Sequence, residues 1–125
     1  MELKFLIVDD SLTMRRILTN SLKNLGYNNF VEAADGKEAL EKLAADSAIN
    51  FVITDWNMPV LSGLELVKAI RGDAKLATMP ILMVTTRGVK EDILQALQAR
   101  VNNYVVKPFT PQVLNDKIQQ VLATT

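Results

Sequence analysis

The sequence contains no cysteine and no histidine. The first absence excludes disulfides, zinc–thiolate sites and thiol catalysis, and the second excludes Ser-His-Asp triads and histidine-bound metals. No apolar run approaches the roughly 20 residues that a helix needs to cross a bilayer, and the N-terminus shows no signal-peptide pattern. Any chemistry must therefore use carboxylates, hydroxyls, lysine and the backbone, and we expect a cytoplasmic protein with no membrane partner.

Neither sign of charge is in excess, because 14 Lys and Arg residues balance 14 Asp and Glu residues. A domain that binds DNA alone usually shows a basic excess or stripe, so we expect no nucleic-acid partner. The length of 125 residues is common for one domain and allows a real hydrophobic core. The composition, 49% hydrophobic and 22% charged, is that of an ordinary globular protein.

Short apolar runs alternate with helical periodicity five times along the chain. The runs cover residues 5–8, 29–33, 51–54, 81–84 and 104–106. After each run, apolar residues recur at the three-to-four spacing of an amphipathic helix: Met14, Ile17, Leu18, Leu22 and Leu25; Ala39, Leu40 and Leu43; Leu64, Val67 and Ile70; Val89, Ile93, Leu94 and Leu97; and Val113, Leu114, Ile118, Val121 and Leu122.

This order predicts an α/β fold of the flavodoxin-like, doubly wound type, with a five-stranded parallel sheet. The first, third and fourth runs are nearly all apolar, as expected where helices cover both faces of a parallel sheet. We expect one domain over residues 1–125, with no linker and no low-complexity stretch.

Polar residues follow four of the five predicted strands. Asp9 and Asp10 follow the first strand, Asp55 the third, Thr85 the fourth and Lys107 the fifth. Ligands bind at the carboxyl ends of strands in an open α/β sheet, so these side chains should meet at one edge. Taken singly, Asp9 or Asp10 fits an ordinary helix cap equally well, but that explanation does not suit all five positions together.

Three neighbouring aspartates repel one another unless a cation lies between them. Oxygen-only ligands in small number suit Mg²⁺, which takes phosphate oxygens into its coordination shell. With Mg²⁺ bound, a carboxylate can attack phosphorus and form an acyl phosphate. Lys107 and Thr85 would then contact the added phosphoryl oxygens, the first by charge and the second by a hydrogen bond.

The ordered set of these residues resembles the receiver domains of bacterial two-component signalling, over essentially the whole chain. The residues that carry the resemblance are Asp9-Asp10-Ser11, Thr54-Asp55-Trp56-Asn57-Met58-Pro59 with Gly63, Thr85, and Lys107-Pro108-Phe109. The segments 54–59 and 102–109 resemble the CheY-type chemotaxis regulators in particular.

The resemblance implies a phosphorylation-activated response regulator in which Asp55 accepts a phosphoryl group from a histidine kinase. It implies that Mg²⁺ is bound directly by Asp10 and Asp55, through water by Asp9, and by the backbone carbonyl of Asn57. Lys107 would pair with the phosphoryl oxygens. Such a protein is a monomer that catalyses only its own phosphorylation and dephosphorylation, and the family also allows a separate phosphatase as a partner.

A switch is implied as well: Thr85 engages the phosphoryl group and Tyr104 turns inward. Without the resemblance, Tyr104 is an ordinary aromatic at the edge of the core, and Trp56 is a packing residue of the loop with no catalytic role. The bond between Lys107 and Pro108 is expected to be cis, although a cis X-Pro bond is found at only about 5% of such positions.

No effector domain follows the last predicted helix, so the expected output is a protein contact. The family's partner-binding face corresponds to Lys90, Ile93, Tyr104, Val106, Val113 and Lys117. The expected partner is a flagellar motor switch protein. The alternatives are a phosphorelay intermediate, which passes its phosphoryl group to a histidine-containing protein, or another single-domain receiver with a non-motor partner. A phosphatase of small molecules would need a cap insertion, for which the chain has no room.

Two departures from the family pattern lie near the phosphoryl position. Thr86 stands where the family usually has a very small residue, and its β-branched side chain would narrow access to the phosphoryl group. The resemblance implies that Arg87 occupies a position that, together with Asn57, tunes the dephosphorylation rate in this family. A cation there would shield the phosphoryl group, so we predict slow self-dephosphorylation.

The sequence leaves open the roles of three further arginines. Arg100 stands where relatives usually have glycine at the end of the fourth helix. Either Arg100 takes the left-handed conformation, at a cost of roughly 1 kcal/mol, or the helix ends differently, or Asn102 or Asn103 takes that conformation. Arg15 and Arg16, on the first helix, are either a solvated face or a docking site for a phosphodonor domain.

Overall fold

The computed structural model describes residues 2–124 as five strands that alternate with five helices. The strands are β1 (Phe5–Val8), β2 (Phe30–Ala33), β3 (Phe51–Thr54), β4 (Ile81–Thr85) and β5 (Asn103–Val106). The helices are α1 (Leu12–Asn24), α2 (Gly36–Ala45), α3 (Gly63–Gly72), α4 (Lys90–Gln98) and α5 (Pro111–Ala123).

All strand pairs are parallel, and the sheet order is β2-β1-β3-β4-β5. This is the order of the flavodoxin-like doubly wound sheet, so the predicted fold is confirmed. Residues of β1, β3 and β4 are buried on both faces, because α1 and α5 pack on one face and α2, α3 and α4 on the other. In the part of the chain that the structure describes, no helix combines the length and apolarity needed to cross a bilayer.

Four of the helices begin at a side-chain cap. Ser11, Asp35 and Thr110 each accept a hydrogen bond from a backbone N–H of the first turn, and Ser62 forms a reciprocal capping box with Glu65. Such caps satisfy N–H groups that have no partner within the helix. The exception is α4, whose N-cap, Val89, makes no side-chain hydrogen bond to the helix.

Several apolar residues that identified the helices lie outside the core. In α4 the only buried residue is Ala96, while Val89, Leu94 and Leu97 are 59%, 47% and 46% exposed. Ile17 of α1 and Val113 of α5 are also exposed, although Leu18, Leu22, Leu114 and Ile118 are buried. The apolar periodicity therefore located these helices correctly, but it did not define which face each helix buries.

The end of α4 resolves the alternatives at Arg100. Arg100 itself takes the left-handed conformation, with φ of 74°. Its carbonyl accepts a 3.0 Å hydrogen bond from Nε of Arg71, whose guanidinium also contacts the carbonyls of Ala77 and Met79 and the side chain of Asn102. These contacts tie the end of α4 to the β3–β4 crossover and hold Arg100 in its strained geometry.

Candidate functional site

Three aspartates meet at the carboxyl ends of β1 and β3. One carboxylate oxygen from each of Asp9, Asp10 and Asp55 lies within 4.8 Å of the other two. The adjacent parallel strands cause this, since Val8 of β1 is paired with Thr54 of β3 and the two chains leave the sheet side by side. Asp9 is buried, Asp55 is half-buried and Asp10 is exposed, so the cluster runs from the core to the solvent.

Lys107 brings a positive charge to this cluster from the far end of the sequence. Its ammonium donates to Oδ2 of Asp9 at 2.9 Å and to Oδ2 of Asp55 at 3.2 Å. The Lys107-Pro108 bond that follows is cis, as expected. Oδ1 of Asp55 accepts a 2.6 Å hydrogen bond from the backbone N–H of Trp56, so both oxygens of this carboxylate are oriented.

The cluster fits a divalent cation in both charge and ligand type. Burial raises the pKa of the Asp9 carboxyl above its ordinary value, although hydrogen bonds from the Ser11 backbone and from Lys107 act in the opposite direction. A single ammonium does not balance three ionised carboxylates, and hard oxygen ligands suit Mg²⁺. The carbonyl oxygen of Asn57 accepts no hydrogen bond from residues 2–124 and is available as a further ligand.

The loop that carries Asp55 is held by very close backbone packing. A Cβ atom on Gly63 would lie only 1.8 Å from the carbonyl oxygen of Asp55, and the Gly63 N–H donates to the carbonyl of Trp56 at 2.8 Å. The first residue of α3 therefore sits directly on the backbone of the loop. Only glycine permits this approach, and this explains the glycine after the Thr54–Pro59 segment.

Arg15 supports the first acidic loop. Its guanidinium donates to the backbone carbonyl of Asp9 at 2.6 Å and to Oε1 of Glu32 at 3.0 Å, and the side chain is mostly buried. Neither alternative from the sequence described this role, because both placed Arg15 on the surface. Arg16 is exposed. A signal for the role of Arg15 was available in Glu32, whose acidic side chain interrupts an otherwise apolar strand.

Thr85 and Tyr104 lie next to the cluster on β4 and β5. Thr85 is fully buried, and its hydroxyl accepts a long, 3.4 Å hydrogen bond from the Arg87 backbone N–H. Tyr104 is also buried, and its hydroxyl donates to the Arg87 carbonyl at 2.6 Å. Burial, followed by the negative charge of Asp92, raises the pKa of Tyr104 to about 12. Tyr104 thus points inward in this structure.

Arg87 covers the outer side of the loop that carries Asp55. Its guanidinium donates twice to Oδ1 of Asn57, at 3.1 and 2.9 Å, and lies 4.5 Å from the ring centroid of Trp56. It also pairs with Asp92 at 3.5 Å. Arg87 and Asn57, which the family resemblance links only through the rate of dephosphorylation, are therefore in direct contact. Thr86, by contrast, is exposed.

The residues of the predicted partner face differ in accessibility. Lys90, Val106 and Val113 are exposed, and Ile93 and Lys117 are half-buried. Tyr104 is only 7% exposed, so its side chain contributes little surface to the predicted face in this structure. Leu94 and Leu97 of α4, which the sequence suggested only as helix markers, add exposed apolar surface.

Comparison with known proteins shows which family the chain belongs to. The response regulator receiver domain matches residues 5–119 of the chain. The chain belongs to the response regulator receiver family. The receiver is 54% identical over 122 residues to the chemotaxis protein CheY1 of Helicobacter pylori, covering 98% of each chain. It is 53% identical to the chemotaxis protein CheY homolog of Campylobacter jejuni, over 98% of this chain and 94% of that protein.

Solved structures agree with this assignment. The receiver superposes on the chemotaxis response regulator CheY4 of Vibrio cholerae with a TM-score of 0.86 and 38% identity, over 97% of this chain and 99% of that chain. A response regulator receiver protein from Pseudomonas putida gives a TM-score of 0.86 at 28% identity, over 96% and 98% of the two chains. The CheY-type resemblance inferred from the sequence is therefore confirmed.

Proposed function

We propose that this receiver accepts a phosphoryl group on Asp55 from a phosphorylated histidine kinase and thereby changes its affinity for a protein partner. The observation that carries the proposal is the arrangement around Asp55: two further carboxylates within 4.8 Å and the Lys107 ammonium at 3.2 Å. Family members act in phosphorylation-based signalling, and the four positions that bear this chemistry converge here on one sheet edge.

In the proposed transfer, an oxygen of Asp55 forms a bond to phosphorus as the bond between phosphorus and the donor nitrogen breaks. The electron pair stays on the departing histidine nitrogen. Asp10, Asp55 and the Asn57 carbonyl would hold Mg²⁺, with Asp9 contributing through water, and the bound ion would supply positive charge to neutralise the phosphoryl oxygens. Lys107 is already bonded to Asp55 and would move its contact to a phosphoryl oxygen, and the Thr85 hydroxyl would donate to another.

The proposed switch couples the phosphoryl group to Thr85 and Tyr104. The hydroxyl of Thr85 accepts only a long hydrogen bond, so little holds it against turning toward a phosphoryl oxygen. Tyr104 lies inward, and its hydroxyl donates to the Arg87 carbonyl at 2.6 Å. We expect phosphorylation to raise the population of the conformer in which Thr85 engages the phosphoryl group and Tyr104 lies inward.

The proposed output is binding of the phosphorylated receiver to a flagellar motor switch protein. Two relatives of high identity are named chemotaxis proteins. Lys90, Val106 and Val113 are exposed, as are Leu94 and Leu97 of α4. We expect exposed apolar side chains with a lysine among them to suit an amphipathic, acidic segment.

The phosphoryl chemistry is tested by incubation with a small phosphodonor, with and without Mg²⁺, followed by intact-mass measurement. We expect an adduct of about 80 Da, one phosphoryl group, that requires Mg²⁺ and is absent in Asp55→Asn. Asp116→Asn, an exposed aspartate on α5, is the matched control and should still form the adduct. An adduct that persists in Asp55→Asn would contradict the assignment of Asp55.

The output is tested with an acyl-phosphate mimic bound to the receiver. The mimic should raise the affinity for a motor-switch peptide, and Val113→Ser should weaken the complex. Ile17→Ser is the control, because Ile17 is equally exposed but lies on α1. If the mimic leaves the affinity unchanged, and the phosphorylated receiver instead passes its group to a histidine-containing domain, the protein is a phosphorelay intermediate.

A further inference from the structure

Arg87 is the side chain that joins the loop carrying Asp55 to helix α4. On the loop side it donates twice to Asn57 Oδ1 and stacks on the Trp56 ring. On the helix side its Nη1 atom lies 3.5 Å from Oδ2 of Asp92, in the first turn of α4. Its backbone carbonyl is the acceptor for Tyr104. One residue therefore contacts the acceptor loop, the aromatic of β5 and the start of α4.

Helix α4 has few other restraints at this end. Its N-cap, Val89, provides no side-chain hydrogen bond, whereas the other four helices all have one. Its only buried residue is Ala96, near the opposite end. Ile93 packs partly buried against the core, and the ion pair with Arg87 is the polar side-chain contact that joins the first turn of α4 to the loop. Loss of that pair would therefore mainly loosen the first turn of α4.

The contacts that Arg87 makes with α4 and with the loop differ in strength. The pair with Asp92 has side chains 38% and 27% exposed, and ion pairs of that exposure are weak and screened by salt. The stack on Trp56 and the two bonds to Asn57 keep the guanidinium over the loop, two residues from Asp55. A phosphoryl group on Asp55 would add a charge of about −1.5 to −2 and three acceptor oxygens, and a guanidinium binds such a group through paired hydrogen bonds.

We propose that Arg87 is a charge-sensitive latch: a phosphoryl group on Asp55 draws its guanidinium away from Asp92 and so releases the first turn of α4. This inference rests on the proposed function and adds a route from the phosphoryl group to the partner face that does not run through Thr85. Arg87 acts here as a positioning residue for α4. Asp92, which the sequence did not single out, is the other half of the latch.

The latch is tested by hydrogen exchange of the backbone amides of residues 90–94, before and after phosphorylation, in the wild type and in Asp92→Asn. Glu91→Gln is the matched control, since it removes an exposed acidic charge from the same helical turn but makes no ion pair with Arg87. Intact mass, measured on the same samples, reports the extent of phosphorylation.

In the wild type and in Glu91→Gln, phosphorylation should speed exchange at these amides about two- to five-fold, the range expected from an exposed ion pair. Unphosphorylated Asp92→Asn should already exchange at the faster rate, and phosphorylation should not change it further. If Asp92→Asn responds to phosphorylation as the wild type does, the latch is wrong although the proposed function stands. If no adduct forms in the wild type, the proposed function fails and the latch fails with it.

Discussion

Single residues around Asp55 set how long a phosphoryl group would stay there. The Arg87 guanidinium is hydrogen-bonded to Asn57, two residues from Asp55, and we expect it there to hinder the approach of water to a phosphoryl group. A glutamate at this position would remove the cation and offer an acceptor for an attacking water. We therefore expect Arg87→Glu to speed the decay of the acyl phosphate about tenfold, equivalent to roughly 1.4 kcal/mol in the barrier.

The measurement is the loss of the phosphoryl adduct by mass after removal of the phosphodonor. Arg16→Glu makes the same change of charge at an exposed position of α1 and should leave the decay unchanged. Unchanged or slower decay in Arg87→Glu would show that the cation does not protect the phosphoryl group.

Arg100 carries backbone strain that glycine would relieve. Its φ of 74° lies in the left-handed region, which is costly for residues with a Cβ atom. We expect Arg100→Gly to raise the free energy of unfolding by about 1 kcal/mol. Ala99→Gly is the control, since Ala99 has an ordinary right-handed conformation and should lose stability. Chemical denaturation measures both, and a less stable Arg100→Gly would mean that lost side-chain contacts outweigh the strain.

At the scale of elements, the contact between α3 and the acceptor loop is the tightest in the site. A Cβ on Gly63 would lie 1.8 Å from the Asp55 carbonyl oxygen, so Gly63→Ala must push the loop away from the helix. We expect a loss of about 1–3 kcal/mol in stability and slower phosphorylation of the displaced Asp55. Denaturation and adduct formation measure the two effects.

Gly72, at the other end of α3, is the matched control for this substitution. A Cβ there would meet no atom within 4 Å, so Gly72→Ala should stabilise the protein by about 0.5–1 kcal/mol through its better helix propensity. If Gly63→Ala and Gly72→Ala changed the stability equally, the loop would be able to move away from α3 without destabilising the protein.

At the scale of the whole molecule, folding brings the three aspartates of the cluster together and buries one of them, and this lowers the stability of the fold. Burial raises the pKa of Asp9, so the ionised form destabilises the fold at neutral pH, and this cost disappears as the pH falls through the raised pKa. A cation that binds the folded chain would offset the cost. We expect Mg²⁺ at about 100 times its dissociation constant to stabilise the protein by roughly 2.7 kcal/mol, and less at acidic pH, where protons compete.

Thermal unfolding with and without MgCl₂ measures this stabilisation, with NaCl at equal ionic strength as the control for screening. Asp10→Asn removes an exposed carboxylate of the cluster and should lose most of the effect. Equal stabilisation of the wild type and Asp10→Asn would place the cation elsewhere.

The order and type of the elements, the single sheet and the strand-end positions of the site residues followed from the sequence, because each depends on local periodicity and on what comes directly after a strand. The same reasoning missed features that depend on neighbours distant in the chain. The sequence placed Lys107 and Asp9 at the same sheet edge, but it did not predict the hydrogen bond between them, which joins residues 98 positions apart. Arg15 was placed on the surface because nothing in its own helix indicates that Asp9 and Glu32 will enclose it.

Local pattern also failed where packing selects among several apolar residues. The residues of α4 have the right spacing for a helix, yet the structure buries Ala96 and exposes Leu94 and Leu97, since the position of β5 decides which side of the helix is covered. Packing between distant segments also determines three further features that the local pattern did not predict. These are the inward position of Tyr104, the strained backbone of Arg100 and the contacts of Arg87 with Asn57 and Asp92. Residue types and strand ends are encoded locally, so the acidic cluster with its lysine could be predicted from the chain. The contacts that would couple this cluster to α4 exist only once distant segments are packed together.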